Sequence, residues 1–168
     1  MEKRALVISP IAPYVVKPAH MAEPDDEGWY GQIVEILEEA EDGFYRIRTP
    51  YRYETYVHAS HLCLDEAEAE RWEKADLRRV WAAWADVQVE SGATHPHHIS
   101  LCRGAVVELV APLEKPQGWA KVRLIGGAEG FVREGFLGPY YENEPSAGEE
   151  ELRNSVVEAA KLYMGVQY

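Results

Sequence analysis

The sequence predicts a mostly β chain of two small closed barrels joined by an α-helix, with a second helix toward the C-terminal end. Three observations point there: one segment recurs along the chain, short apolar-rich runs are bounded by turn residues, and two stretches carry helical rather than strand spacing. The chain has 168 residues, 46% hydrophobic and 27% charged. That is apolar enough to bury a core and excludes a disordered or fibrous chain.

The recurrence sets the architecture. GQIVEIL from Gly31 matches GAVVELV from Gly104, a spacing of 73 positions. Farther along, Gly43-Phe44 pairs with Gly118-Trp119, Ile47-Arg48 with Val122-Arg123, Glu54 with Glu129, Tyr56-Val57 with Phe131-Val132, and Leu62 with Leu137, all 75 apart. One two-residue insertion in a hairpin loop accounts for the change of spacing.

The first barrel is expected over residues 1–64. Pro18 to Gly28 reads as its long loop between the first two strands, where function concentrates. IVEIL and FYRIR then read as strands, the latter alternating apolar with basic residues, and EEAEDG between them carries hairpin turn residues. An extended segment ending Tyr56-Val57 and a short strand near Leu62 complete the unit.

Residues 65–84 are expected to form a linker helix. Asp65 with Glu68 resembles a capping box, acidic residues precede Arg71, Lys74, Arg78 and Arg79, and Leu77, Val80, Trp81 and Trp84 share one face. The second barrel follows over 85–141, with Ser91 to Arg103 as its long loop, VVELV and WAKVRL as strands and PLEKPQG as the connector. Residues 142–168 hold an acidic linker and a helix from Glu149 to about Met164, whose stripe of Leu152, Val156, Ala159 and Tyr163 needs a surface to cover it. Five or six short strands in about 55 residues fit a small barrel better than a sandwich, and closure hides the edge strands.

Seventeen basic against 29 acidic residues give a formal charge of −12. That balance argues against nucleic acid, which binds basic surfaces that release its counterions. It also argues against anionic membranes and polyanionic wall polymers. No apolar run approaches the roughly 20 residues of a membrane helix. Pro10 and Pro13 interrupt the N-terminal stretch, so no secretory signal is visible, and the compartment is left open. Cys63 and Cys102 allow at most one bridge and do not make a disulfide scaffold.

The two barrels, followed by ELRNSVVEAAKLYMGVQY, resemble the N-terminal part of the NlpC-type cell-wall cysteine peptidases, with tandem SH3-like domains of the bacterial type. In that family the Ala-rich helix ending in Gly-x-x-Tyr precedes Trp-Gly-Gly and then Asp-Cys-Ser-Gly, which bears the nucleophile, with a His later. Val156 to Tyr168 matches the first helix of that catalytic domain, and the remainder is expected to be absent. The resemblance implies a parent that is a cysteine endopeptidase cleaving stem peptides between γ-D-glutamate and a diamino acid. It implies a catalytic peptidase domain in cis and a peptidoglycan-derived peptide as partners. It further implies that the first barrel closes one side of the substrate groove and confines the free N-terminal end of the peptide.

Cys63 in HLCLD and Cys102 in SLCRG lack the family's surroundings for a thiolate beside a base. No Gly-rich phosphate loop, carboxylate dyad or Gly-x-Ser-x-Gly elbow appears, and no cofactor is implied. The chain is therefore expected not to be an enzyme itself, but the non-catalytic targeting and substrate-positioning region of a stem-peptide hydrolase. The rival is a stand-alone SH3-like protein- or peptide-interaction module, a homodimer through its C-terminal helix.

Ligand-binding candidates come from comparing the repeats. Where the second has Leu124-Ile125-Gly126-Gly127-Ala128, the first has Thr49-Pro50-Tyr51-Arg52-Tyr53. Tyr51 and Tyr53 are dispensable for folding on that comparison, and exposed tyrosines supply stiff contact area with a polar tip. The competing reading packs them on the neighbouring barrel or helix. Tyr56 is assigned to the core because Phe131 replaces it. Trp29 and Tyr30, at the end of the long loop, extend the patch. His95, His97 and His98 with Cys102 have zinc-binding chemistry but match no standard spacing, so they are weak metal candidates.

Overall fold

The computed structural model describes residues 3–92, 96–111, 118–141 and 148–165. Strands β1 (Lys3–Val7), β2 (Ile11–Val15), β3 (Pro24–Trp29), β4 (Ile33–Glu39), β5 (Phe44–Arg48), β6 (Glu54–His58) and β7 (Leu62–Cys63) form one antiparallel sheet in the order β3-β2-β6-β5-β4-β1-β7. Helix α1 (Glu66–Glu73) follows. Strands β8 (Leu77–Val80), β9 (Trp84–Gln88), β10 (His97–Cys102), β11 (Val106–Ala111), β12 (Trp119–Arg123), β13 (Glu129–Arg133) and β14 (Leu137–Pro139) form the second sheet, and α2 (Glu149–Lys161) ends the described chain. The second order, β10-β9-β13-β12-β11-β8-β14, is the first taken strand for strand. Registers correspond too, Glu35 opposite Arg48 and Glu108 opposite Arg123, each with a bulge two or three residues beyond.

The mostly β expectation and its strand positions therefore hold, with three differences. Residues expected to be helical over 65–84 are helical only over Glu66–Glu73. Asp65 caps that helix, its carboxylate accepting from the N–H groups of Ala67 (3.0 Å) and Glu68 (3.4 Å). Leu77–Val80 instead pairs with β11 and β14. Its two buried residues lie three apart, a spacing that suits a helix or a strand covered on both sides, and the ladder decides. Trp81 and Trp84 are consequently exposed, and Trp72 is the fully buried tryptophan of this region.

Second, the two stretches read as long loops carry β3 and β10, each paired with the strand before it. Third, the apolar stripe of α2 has no cover among the described residues: Leu152, Val156 and Tyr163 are all exposed. The connector over 112–117, the acidic linker over 142–147 and the Gly-x-x-Tyr end at Tyr168 lie outside the described residues. Among the described residues no helix is long and apolar enough to cross a membrane.

Two hydrophobic clusters hold the fold. One fills the first sheet, with Ala5, Val7, Tyr14, Val34, Ile47 and Val57. The other starts at Leu6, Tyr30 and Trp72 and runs into the second sheet through Val80, Val107 and Val122, so it welds the two units. Backbone bonds cross the same seam. The Val106 N–H donates to the Tyr30 carbonyl (2.8 Å) and Trp72 Nε1 to the Gly31 carbonyl (3.2 Å). Gly31 sits at φ +81, and a Cβ there would stand 2.5 Å from the Val106 carbonyl oxygen, so both conformation and proximity require glycine.

Candidate functional site

The seam opens into a groove of two adjoining chambers that share Ile33, Pro50 and Tyr140. The β5–β6 turn supplies one wall: the Thr49 N–H donates to the Tyr53 carbonyl (2.9 Å) and the Arg52 N–H to the Thr49 carbonyl (2.9 Å). This fixes Pro50, Tyr51 and Arg52 at its tip. The inner chamber, about 320 Å³, is aromatic and is lined by Trp29, Gln32, Tyr51, Arg79, Tyr140 and Tyr141 among others. The outer one, about 450 Å³, is charged, with Arg4, Glu35, Arg48, Arg52 and Glu73 around Leu77. Arg4 pairs with Glu73 (2.6 Å) and Arg48 with Glu35 (2.8 Å).

Of the predicted binding residues, Trp29 and Tyr51 line the inner chamber. The Tyr51 hydroxyl donates to Asp26 (2.5 Å), and the Tyr53 hydroxyl to Asp25 (2.7 Å), so β3 and the turn are tied by two tyrosine–aspartate bonds. Partial burial and the Asp26 carboxylate push the Tyr51 hydroxyl up to about 12, and the bond to Asp25 raises that of Tyr53. Tyr53 lines neither chamber. Tyr30 departs from expectation. It is only 3% exposed, and its hydroxyl accepts from the Ile125 N–H (2.7 Å), which makes it a seam residue and not a surface for ligand.

The histidines and cysteines do not converge. His97 and His98 are exposed neighbours on β10, at a bulge in its pairing with β9. His98 Nε2 lies 3.1 Å from the Glu129 carbonyl, and Cys102 closes the far end of the strand. His95 lies outside the described residues. Among those described, no three His, Cys, Asp or Glu residues gather as for a metal. The Cys102 thiol donates to the Pro10 carbonyl (3.5 Å) across the seam, and burial pushes it up, away from a thiolate. Half-buried Cys63 packs against the seam core.

Gln32, Arg52 and Tyr140 line the groove without having been singled out in the sequence. For two of them the signal was present: Gln32 stands where the second unit has Ala105, and Arg52 where it has Gly127.

No family model matches the chain. It is 30% identical, over 165 residues and 98% of its length, to dipeptidyl-peptidase 6 of Lysinibacillus sphaericus. The chain spans 60% of the length of that relative. Its fold matches the crystal structure of an NlpC/P60 family protein from Bacillus cereus with a TM-score of 0.69, at 12% identity, over 98% of this chain and 65% of that one. The chain is related to peptidases. The expectation that it is not an enzyme is thereby overturned: the shared length with a peptidase takes in almost every residue. That expectation leaned on the local surroundings of two cysteines, which do not decide what a whole chain takes part in.

Proposed function

We propose that this chain works as part of a peptidase acting on cell-wall stem peptides, with each sheet an SH3-like barrel and the seam groove gripping the peptide. One observation carries the reading: the seam leaves an aromatic chamber walled by Trp29, Tyr51 and Tyr140 beside a charged one, in a chain whose length is shared with dipeptidyl-peptidase 6. Flat aromatic walls hold a peptide backbone, and charged groups orient its ends. Asp26, bonded to the chamber's Tyr51, puts a carboxylate beside the aromatic wall that suits the ammonium of a free N-terminal residue. A peptide fixed at one end is presented in one register, and positioning of that kind can supply much of the lowering of a barrier.

The test is calorimetric titration of the full chain with the tripeptide L-alanyl-γ-D-glutamyl-diaminopimelate, alongside chromatography of cleavage products. Trp29→Ala and Tyr51→Ala are expected to weaken binding about tenfold each, in line with the loss of buried aromatic anchors. If the native chain shows no saturable binding of the tripeptide, or a folded double variant binds it as well as the native chain, the reading is wrong.

A further inference from the structure

The chain carries its own comparison for the charged chamber. The turn after β12 repeats the turn after β5 bond for bond: Leu124 N–H donates to the Ala128 carbonyl (2.8 Å) and Gly127 N–H to the Leu124 carbonyl (3.0 Å). The flanking charges repeat as well, Arg123 bonding Glu108 and Glu129 as Arg48 bonds Glu35 and Glu54. In the second unit this ground is occupied by the chain itself. Glu68 accepts from the Gly126 N–H (3.2 Å), and Arg71, bonded to Glu68 (2.7 Å), donates to Glu108 (2.6 Å). A carboxylate and a cation, held side by side on α1, thus sit on the turn and on the strand glutamate.

On the first unit the same ground is open chamber. Among the described residues Glu35, the counterpart of Glu108, bonds only Arg48; Arg4, opposite it across the β1–β4 ladder and in the same chamber, turns its guanidinium to Glu73 instead. Arg52, the counterpart of Gly127, lines the chamber at φ +65, a backbone conformation that L side chains rarely adopt and that Gly127 accepts at φ +93. Its guanidinium has no partner among the described residues, whereas Arg4 and Arg48 beside it are paired.

We propose that the chamber binds a zwitterionic amino-acid group, its carboxylate on Arg52 and its ammonium on Glu35, where the Glu68–Arg71 pair sits on the second unit. A simple anion would leave Glu35 facing it, and a simple cation would meet Arg52. A diamino acid linked through one amine keeps the other amine and a carboxylate. The assignment of that group as natural ligand rests on the stem-peptide reading; the site itself does not.

Titration of the full chain with free 2,6-diaminopimelate tests the site. Saturable binding is expected, at least tenfold weaker for the N-acetylated or the amidated compound and for the Arg52→Gly and Glu35→Gln variants. Arg52→Gly installs the residue of the second unit and relieves the backbone, so its Tm is expected to equal or exceed that of the native chain, which separates a lost contact from a lost fold. Absence of saturable binding, or native affinity retained by both variants, overturns the proposal. Diaminopimelate binding that Arg52→Gly removes, with a stem tripeptide neither bound nor cut, upholds the site and sinks the stem-peptide reading. A tripeptide bound equally well by native chain and Arg52→Gly, with no binding of the free amino acid, does the opposite.

Discussion

A buried polar pair sets the first unit apart from the second. Tyr14 is fully buried and its hydroxyl donates to Gln32 Oε1 (2.8 Å), while Gln32, 5% exposed, has an Nε2 without a partner among the described residues. In the second unit Val87 and Ala105 take these places, both fully buried. The fold therefore does not need the pair, and an apolar version is stable without it. Removing only one member is a different matter, because a buried amide left with no partner at either end keeps its full desolvation cost. Tyr14→Phe is expected to cost about 1–3 kcal/mol in urea unfolding, and adding Gln32→Ala to it is expected to cost less than the two single changes together. A neutral Tyr14→Phe would mean that the bond holds nothing. The Gln32 and Ala105 difference was open to view in the sequence once the repeats were aligned. Its burial beside Tyr14 was not, because Gln32 sits in the turn before β4, where no strand period says which side chain faces inward.

At the scale of elements, α1 carries weight beyond its eight residues. It brings Trp72 into the seam and sets the Glu68–Arg71 pair on the second sheet, and its start rests on a single carboxylate. Asp65→Ala is expected to lower stability by about 1 kcal/mol, the usual cost of losing an N-cap, read as a shift of the unfolding midpoint with unchanged slope. No shift would mean that packing of Trp72 alone fixes the helix. The start of α1 was legible because capping is a local bond between near neighbours. Its end was not. Leu77 to Val80 continues an acceptable helical pattern and becomes strand only because β11 and β14 offer ladders from about 30 and 60 residues away, contacts that no local window contains. The strands of the repeat were legible for the complementary reason, since each copy confirmed the other's register. The groove followed only in part: Tyr51 was found from the turn that differs between copies and Trp29 from its place at the end of the long loop, but Tyr30 needed the seam itself to be seen as buried.

The whole molecule depends on that seam, and its chemistry is that of neutral tyrosines. Burial raises the hydroxyls of Tyr14 and Tyr30, and burial with Asp26 holds that of Tyr51 at about 12 against an ordinary 10. An acid whose folded value is raised binds its proton more tightly in the native state. The unfolded chain then releases protons first as pH rises, so the stabilisation is complete below about pH 10 and is lost progressively above it. Since Tyr30 both joins the cluster that runs across the two units and receives the Ile125 N–H, the two sheets are expected to unfold together in a single transition. The Tm should be level from pH 7 to about 9.5 and fall beyond about 10, with phenolate absorbance appearing on the same curve. Tyr30→Phe should lose stability at neutral pH, through the orphaned Ile125 N–H, and should also flatten the alkaline fall. Two separate transitions, or a Tm level through pH 11, would show that the units are not welded at Tyr30.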